Sequence, residues 1–213
     1  KLLESSKYSL GYNIEDTRKA RRLAEEAIAM CPDMPGGYIR MGWVHNQEYV
    51  VGLGKESIEK GIEMARKGLA TDDSNSDGHA LLCALYTLKK EYEKAIAEGE
   101  RAIALDPGSS HPYGAYANSL SWADRPEEAI PIFQKAIRLN PFGTTALYLN
   151  FGIALMKTGR FEEAVSAYKK AIQRAPNSVA AHILLASTYI YMGREKEASA
   201  EAAEVLRIDP EFS

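Results

Sequence analysis

Apolar residues recur along this chain at spacings of three and four, in stretches of about thirteen residues separated by short polar turns. The stretch from Asp77 to Lys89 carries Leu81, Leu82, Leu85 and Leu88, and a second such stretch runs from Tyr92 to Leu105. That spacing lines one face of an α-helix, so the pattern predicts pairs of short amphipathic helices. The pair then repeats. An alanine followed by a proline twelve residues on recurs about every 34 residues, as Ala20 and Pro32, Ala95 and Pro107, Ala129 and Pro141, Ala164 and Pro176, and Ala198 and Pro210. Gly61 and Asp73 fill the same two slots of a degenerate copy. A fixed period of this size predicts one helix pair copied in a row. The expected fold is all-α, a solenoid of about six helix pairs forming a single array over residues 1–213. Its copies end near Pro32, Asp73, Pro107, Pro141, Pro176 and Pro210, and the first has no clear opening helix.

The punctuation of each copy has physical reasons. Glu93, Glu127, Glu162 and Glu195 fall at the start of second helices, where negative charge meets the positive end of the helix dipole. Asp106-Pro107, Asn140-Pro141 and Asp209-Pro210 close second helices, because proline disfavours the helical region for the residue before it. Small residues mark close helix approach: Gly42, Cys83, Ala117, Gly152 and Ala186 in first helices, and Ala27, Gly68, Ala102, Ala136 and Ala171, then Val205, in second helices.

These residues resemble the tetratricopeptide repeat. Tyr148, Phe151, Gly152, Leu155, Ala164, Tyr168, Ala171 and Pro176 fill every slot of its motif in one copy, and the resemblance covers all 213 residues as six copies. It implies a right-handed solenoid. His79 and His182 depart from the motif by taking its tryptophan slot, where packing is the expected role. Around Tyr49 to Gly54 seven extra residues enter the second copy, close to two helical turns. With this expansion, the chain is similar to the tetratricopeptide module that follows the catalytic or DNA-binding domain of bacterial class III adenylate/guanylate cyclase-like signalling proteins. A chain opening on Lys1 is read as a piece of such a longer protein.

Composition narrows the function classes. Lys and Arg number 26 against 29 Asp and Glu, with no clustered basic surface for nucleic acid or an anionic membrane. Apolar runs are too short to span a bilayer, so no membrane insertion is expected. Cys31 and Cys83 form no CxxC pair and are expected to be free thiols in the cytoplasm. Gly52-Leu53-Gly54-Lys55 lacks the remaining residues of a phosphate loop and is read as a relaxed turn. The four histidines, His45, His79, His111 and His182, have no metal-ligand spacing, and no hydrolase or zincin motif is present. No enzyme activity, cofactor or metal is expected.

What remains is surface. In the resembled family the first helices line an inner groove through residues three before, and one, four and five after, the small slot. Here those are Ile39, Trp43, Asn46 and Gln47; Ala80, Ala84, Thr87 and Leu88; and Gly114, Asn118, Ser121 and Trp122. The later copies add Leu149, Ile153, Met156 and Lys157, then Ile183, Ser187, Ile190 and Tyr191. The wall is nearly uncharged and mixes apolar surface with amides, the character of a peptide pocket. Trp43 and Trp122 are either groove surface or packing. Family members that clamp a C-terminal carboxylate use basic residues where this chain has Gly114, Ala180 and Leu184, and only the amides Asn118 and Asn150 match. The expected partner is therefore a protein or peptide other than a carboxylate tail, held by Asn118, Trp122, Asn150, Met156, Lys157, Ser187 and Tyr191. The rival expectation is self-assembly through Ala202, Val205 and Leu206 on the last helix, which no following helix covers.

Overall fold

Each helix ends where the sequence places a breaker. The computed structural model describes residues 14–54 and 56–212, with eleven helices among them. In chain order they are α1 (Ile14–Met30), α2 (Pro35–Val50), α3 (Ser57–Thr71), α4 (Ser76–Leu88), α5 (Tyr92–Leu105) and α6 (Ser110–Trp122). Then come α7 (Pro126–Leu139), α8 (Thr145–Lys157), α9 (Phe161–Arg174), α10 (Val179–Tyr191) and α11 (Glu195–Ile208). Helix α1 is the second helix of the first copy, whose opening segment lies outside the described residues. The odd-numbered second helices stop two residues before a proline, except α3, which stops two before Asp73. The even-numbered first helices stop two residues before a left-handed residue: Gly52, Lys90, Asp124, Gly159 and Gly193, with φ between 60° and 77°. First helices from α4 onward open on a side-chain cap, Asn75, Ser109, Thr144 or Ser178, each accepting from a backbone N–H of the first turn.

The helices pack as neighbours only. Each first helix packs against the second helix of its own copy and the second helix of the copy before. Successive first helices also touch, α2 to α4 and so on to α10, whereas among the described residues no second helix touches another. Elements closer together on one side bend the stack toward that side, so first helices line the concave wall and second helices the convex one.

Small slots form the seams. Gly42, Gly68 and Gly152 are buried, and Cys83, Ala102, Ala117, Ala136 and Ala171 have no exposed surface. A Cβ on Gly152 would lie 2.4 Å from the ring of Tyr168, which is wholly buried beneath it. Between α4 and α6 the seam is polar: Thr87 Oγ1 donates to the Cys83 carbonyl at 2.8 Å and lies 2.6 Å from Ser119 Oγ, which is 3.0 Å from Cys83 Sγ. The expansion of the second copy lengthens α2 to 16 residues, against 13 in later first helices, and α3 to 15 against 14. Residues 51–53 form a turn, relaxed at Gly52 by a φ of 77°.

Candidate functional site

Contacts between successive first helices decide which wall positions reach the groove. Ile39, Gln47, Ala80, Thr87, Ser121 and Leu149 are buried, which corrects the expectation that they line the wall. The two tryptophans part company. Trp43 is half-buried, its ring tilted 52° against His111 at 4.9 Å, while Trp122 at the end of α6 is 54% exposed. Near Trp43, Asp77 holds His111 at 3.0 Å and Arg40 at 3.1 Å. Burial pushes the Asp77 carboxyl up, but the His111 hydrogen bond and the charges of His111 and Arg40 outweigh it and leave it below the usual range.

From α6 to α10 the wall opens. Asn118 and Asn150 are half-buried, and neither side chain has a hydrogen-bond partner among the described residues. Ile190 and Tyr191 at the end of α10 are 66% and 71% exposed, and Tyr191 stacks in parallel on Phe161 at 5.9 Å. Ser187 is half-buried beside them. Two expected contacts serve the fold as well. Lys157 Nζ donates to the Ser121 carbonyl at 2.6 Å, satisfying an orphan carbonyl at the end of α6, and lies 5.9 Å from the Trp122 ring centre. Met156 Sδ accepts from Thr188 Oγ1 at 3.0 Å, bridging α8 to α10.

At the far end, Val205 corrects the expectation of a uniformly open face. It is 4% exposed, because it shares with Ala198 the row turned onto α10, the one helix that α11 touches among the described residues. Ala202 and Leu206 form the neighbouring row and are exposed, Leu206 by 54%. Phe212 is also exposed.

Two polar clusters escaped the sequence reading. His79 and His182 are buried in the tryptophan slot as expected, but they are also tied down: Nδ1 meets Glu98 and Glu201, each at 2.6 Å, and Nε2 meets the carbonyls of Asp73 at 3.1 Å and Pro176 at 3.0 Å. Each His–Glu pair is 19 residues apart, a regularity that the sequence does hold. The other cluster sits under the expansion. Arg21 donates twice to Glu48 at 2.7 Å, His45 Nδ1 lies 3.0 Å from the same carboxylate, and Ser57 Oγ donates to it at 3.4 Å. These residues line a hollow of about 480 Å³ with Leu53, Gly54, Glu56 and Lys60. Burial lowers the His45 pKa, opposed by Glu48 and assisted by Arg21. Among the described residues no group of His, Cys, Asp and Glu could hold a metal, and no helix is long and apolar enough to cross a membrane.

Paired helices joined by small-residue seams, with a concave wall of first helices, define an all-α solenoid of the helix-repeat class. A family model described as tetratricopeptide repeat matches residues 155–213. Among solved structures, a thermophilic TPR protein of Thermus thermophilus superposes with a TM-score of 0.69 at 20% identity, covering 83% of this chain and 92% of that one. The APC/C hetero-tetramer Cut9-Hcn1 gives a TM-score of 0.77 at 16% identity, over 93% of this chain and 38% of that one. Among curated proteins, the STIP1 homolog of Dictyostelium discoideum is 34% identical over 114 residues, 53% of this chain and 20% of its own length. Hsp70-Hsp90 organizing protein 3 of Arabidopsis thaliana is 22% identical over 209 residues, 97% of this chain and 35% of its own. The family match covers residues 155–213, and the superpositions show the same solenoid fold over most of the chain. The chain spans 16% to 35% of the curated relatives it matches.

Proposed function

We propose that this chain is a non-catalytic protein-interaction scaffold that holds a peptide or helix of a protein partner in the groove from Asn118 to Tyr191. The observation that carries the reading is the pair of amides, Asn118 and Asn150, without partners beside exposed Trp122, Ile190 and Tyr191. An amide offers a donor and an acceptor together, the complement of an extended backbone. Ser187, Met156 and Lys157 complete the wall, and the whole array of residues 1–213 acts as one module. Similarity to an Hsp70-Hsp90 organizing protein supports a scaffold role. Gly114, Ala180 and Leu184 on the wall favour a partner that is not a terminal carboxylate, since burying that charge without a cation is costly. In this reading the module works in the cytoplasm as the regulatory part of a larger signalling protein of the class III cyclase-like kind. Reading the coding sequence upstream of Lys1 checks that context.

Peptides selected from a random displayed library on the native protein test the groove. Asn118→Ala, Asn150→Ala and Trp122→Ala should each weaken a selected peptide by about 1–3 kcal/mol with an unchanged melting temperature. Lost stability with intact binding would defeat the reading. A second reading, self-assembly of the parent chain, is favoured by Leu206 standing exposed on the last helix and Phe212 exposed after it. Light scattering over a range of concentrations decides it, with Leu206→Glu expected to abolish any concentration-dependent rise in mass.

A further inference from the structure

Convex furrows between successive second helices are closed by carboxylates at three places. Glu98 of α5 reaches His79 and Glu201 of α11 reaches His182, each at 2.6 Å, while Glu100 of α5 accepts from the Tyr116 hydroxyl at 3.2 Å. Glu98 and Glu201 stand three residues after the alanines Ala95 and Ala198 that open their helices. In α9 the same register position, three after Ala164, is Ala167. The ring it faces is Tyr148, in the slot that His79 and His182 fill elsewhere. The missing side chain leaves a hollow of about 340 Å³ between α7 and α9, floored by Tyr148 and Phe151.

The walls of this hollow are basic. Arg138 and Lys170 line it with Gln134 and Ser166, and neither cation has a carboxylate within 4.0 Å among the described residues. Glu163, the one acid on its lip, is held by two 2.7 Å hydrogen bonds from Arg160. Residues 129–139 and 164–174 contain five cations and no acid, whereas the matching parts of α5 and α11 contain Glu98, Glu100, Glu201 and Glu204. Cations near a helix C-terminus also meet the dipole. That role does not explain why acids are missing from these two helices and a hollow is left between them.

We infer that the α7–α9 furrow is a second docking site, on the convex face, for an acidic segment of a protein partner. A glutamate or aspartate of that segment takes the part that Glu98 and Glu201 take in the sister furrows, between Arg138 and Lys170, beside Tyr148, whose ring Arg174 covers at 4.2 Å. Charge-assisted hydrogen bonds to two cations in a recess are stronger than the same contacts on open surface. The site lies on the opposite wall from the concave groove and does not depend on it.

Fluorescence anisotropy with a short labelled peptide of alternating glutamate and alanine, at low ionic strength, tests this. The native protein should bind it saturably, and a glutamine-alanine peptide of equal length should not bind. Arg138→Glu with Lys170→Glu, both at exposed positions, should weaken binding by about tenfold or more. Ala167→Glu should do the same by filling the hollow from within. Asn118→Ala with Asn150→Ala should leave it unchanged, which separates this site from the groove. Equal binding of the glutamine peptide, or of the charge-reversed protein, would overturn the inference whatever the fate of Ala167→Glu.

Discussion

Gly152→Ala puts the packing argument at most risk, because local propensity and tertiary contact give opposite signs. In an isolated helix the change stabilises by about 1 kcal/mol. In this protein the new methyl would lie 2.4 Å, 2.6 Å and 2.8 Å from three ring atoms of Tyr168, up to about 1 Å inside ordinary contact. Tyr168 has no exposed surface, so its ring has nowhere to go without moving α9 against α8. Overpacking of this kind costs about 1–3 kcal/mol, and a rigid ring on a buried backbone belongs at the upper end. The net expectation is a loss of about 2 kcal/mol, read as a lowered midpoint of urea unfolding followed by circular dichroism. Gly114→Ala is the control: on another first helix, its methyl would meet only Leu147 Cδ1, at 3.3 Å, and should be neutral or stabilising by up to about 1 kcal/mol. Tyr168→Phe should leave the clash in place at little cost, since the hydroxyl it removes is buried and unpaired. Replacing Tyr168 with Leu should make Gly152→Ala harmless, a coupling of about 2–3 kcal/mol in the double-mutant cycle. If Gly152→Ala alone raises the midpoint, the reasoning about this seam is wrong.

Acid should loosen α1–α3 first. The folded His45 pKa lies below its ordinary 6.5, so as pH falls through that value the unfolded chain takes up a proton that the folded one does not. This contribution is full above pH 6.5 and is lost on the way down. Hydrogen exchange in α1–α3 should rise with acid, and His45→Asn should flatten that slope; an unchanged slope removes His45 as the cause. Lys90 and Asp124 hold the left-handed turn position that Gly159 and Gly193 hold in later copies, so Lys90→Gly and Asp124→Gly should each stabilise by up to about 1 kcal/mol in urea unfolding. A thiol reagent should titrate Cys31 at once and Cys83 only on unfolding, because burial pushes the Cys83 thiol up to about 12; rapid reaction of both in the native state contradicts that packing.

Helix pairs, breakers and seams were legible because each is a local rule repeated at a fixed interval. Proline stops and small slots recur at fixed positions in each copy, so the spacing of Ala164, Gly152 and Pro176 carries them without a third dimension. Positions whose role depends on a neighbouring copy were harder to place. Val205 and Leu206 are adjacent in sequence, yet one faces α10 and the other faces solvent. Thr87 and Ser121 sit in wall register but are consumed by contacts between first helices, which the register of one copy cannot foretell. Trp43 and Trp122 share a hydrophobic character and differ only in what the next copy sets beside them: His111 covers one, and the end of α8 leaves the other open. The Arg21, His45 and Glu48 cluster spans two copies and an insertion, so no single repeat contains its signal.

Nearest-neighbour packing has a functional corollary. Because among the described residues no helix contacts anything beyond the adjoining copy, the free energy of the array is close to a sum over copies and seams, and the surfaces between seams contribute little to it. Asn118, Asn150, Arg138 and Lys170 lie between seams, whereas Gly152, Tyr168, Ala136 and Ala171 lie in them. Substitutions in the first set can change what the walls bind while the stack stays intact, and substitutions in the second shift the angle between adjoining copies. Concave and convex walls are coupled through that angle. Wedging α8 from α9 at Gly152 would move Asn150 in the groove and Tyr148 in the furrow together, since both stand within about one turn of that residue on α8. Loss of both binding activities in Gly152→Ala, with each surface chemically unaltered, is what a shared seam requires. Loss of one alone would mean that the two walls move independently.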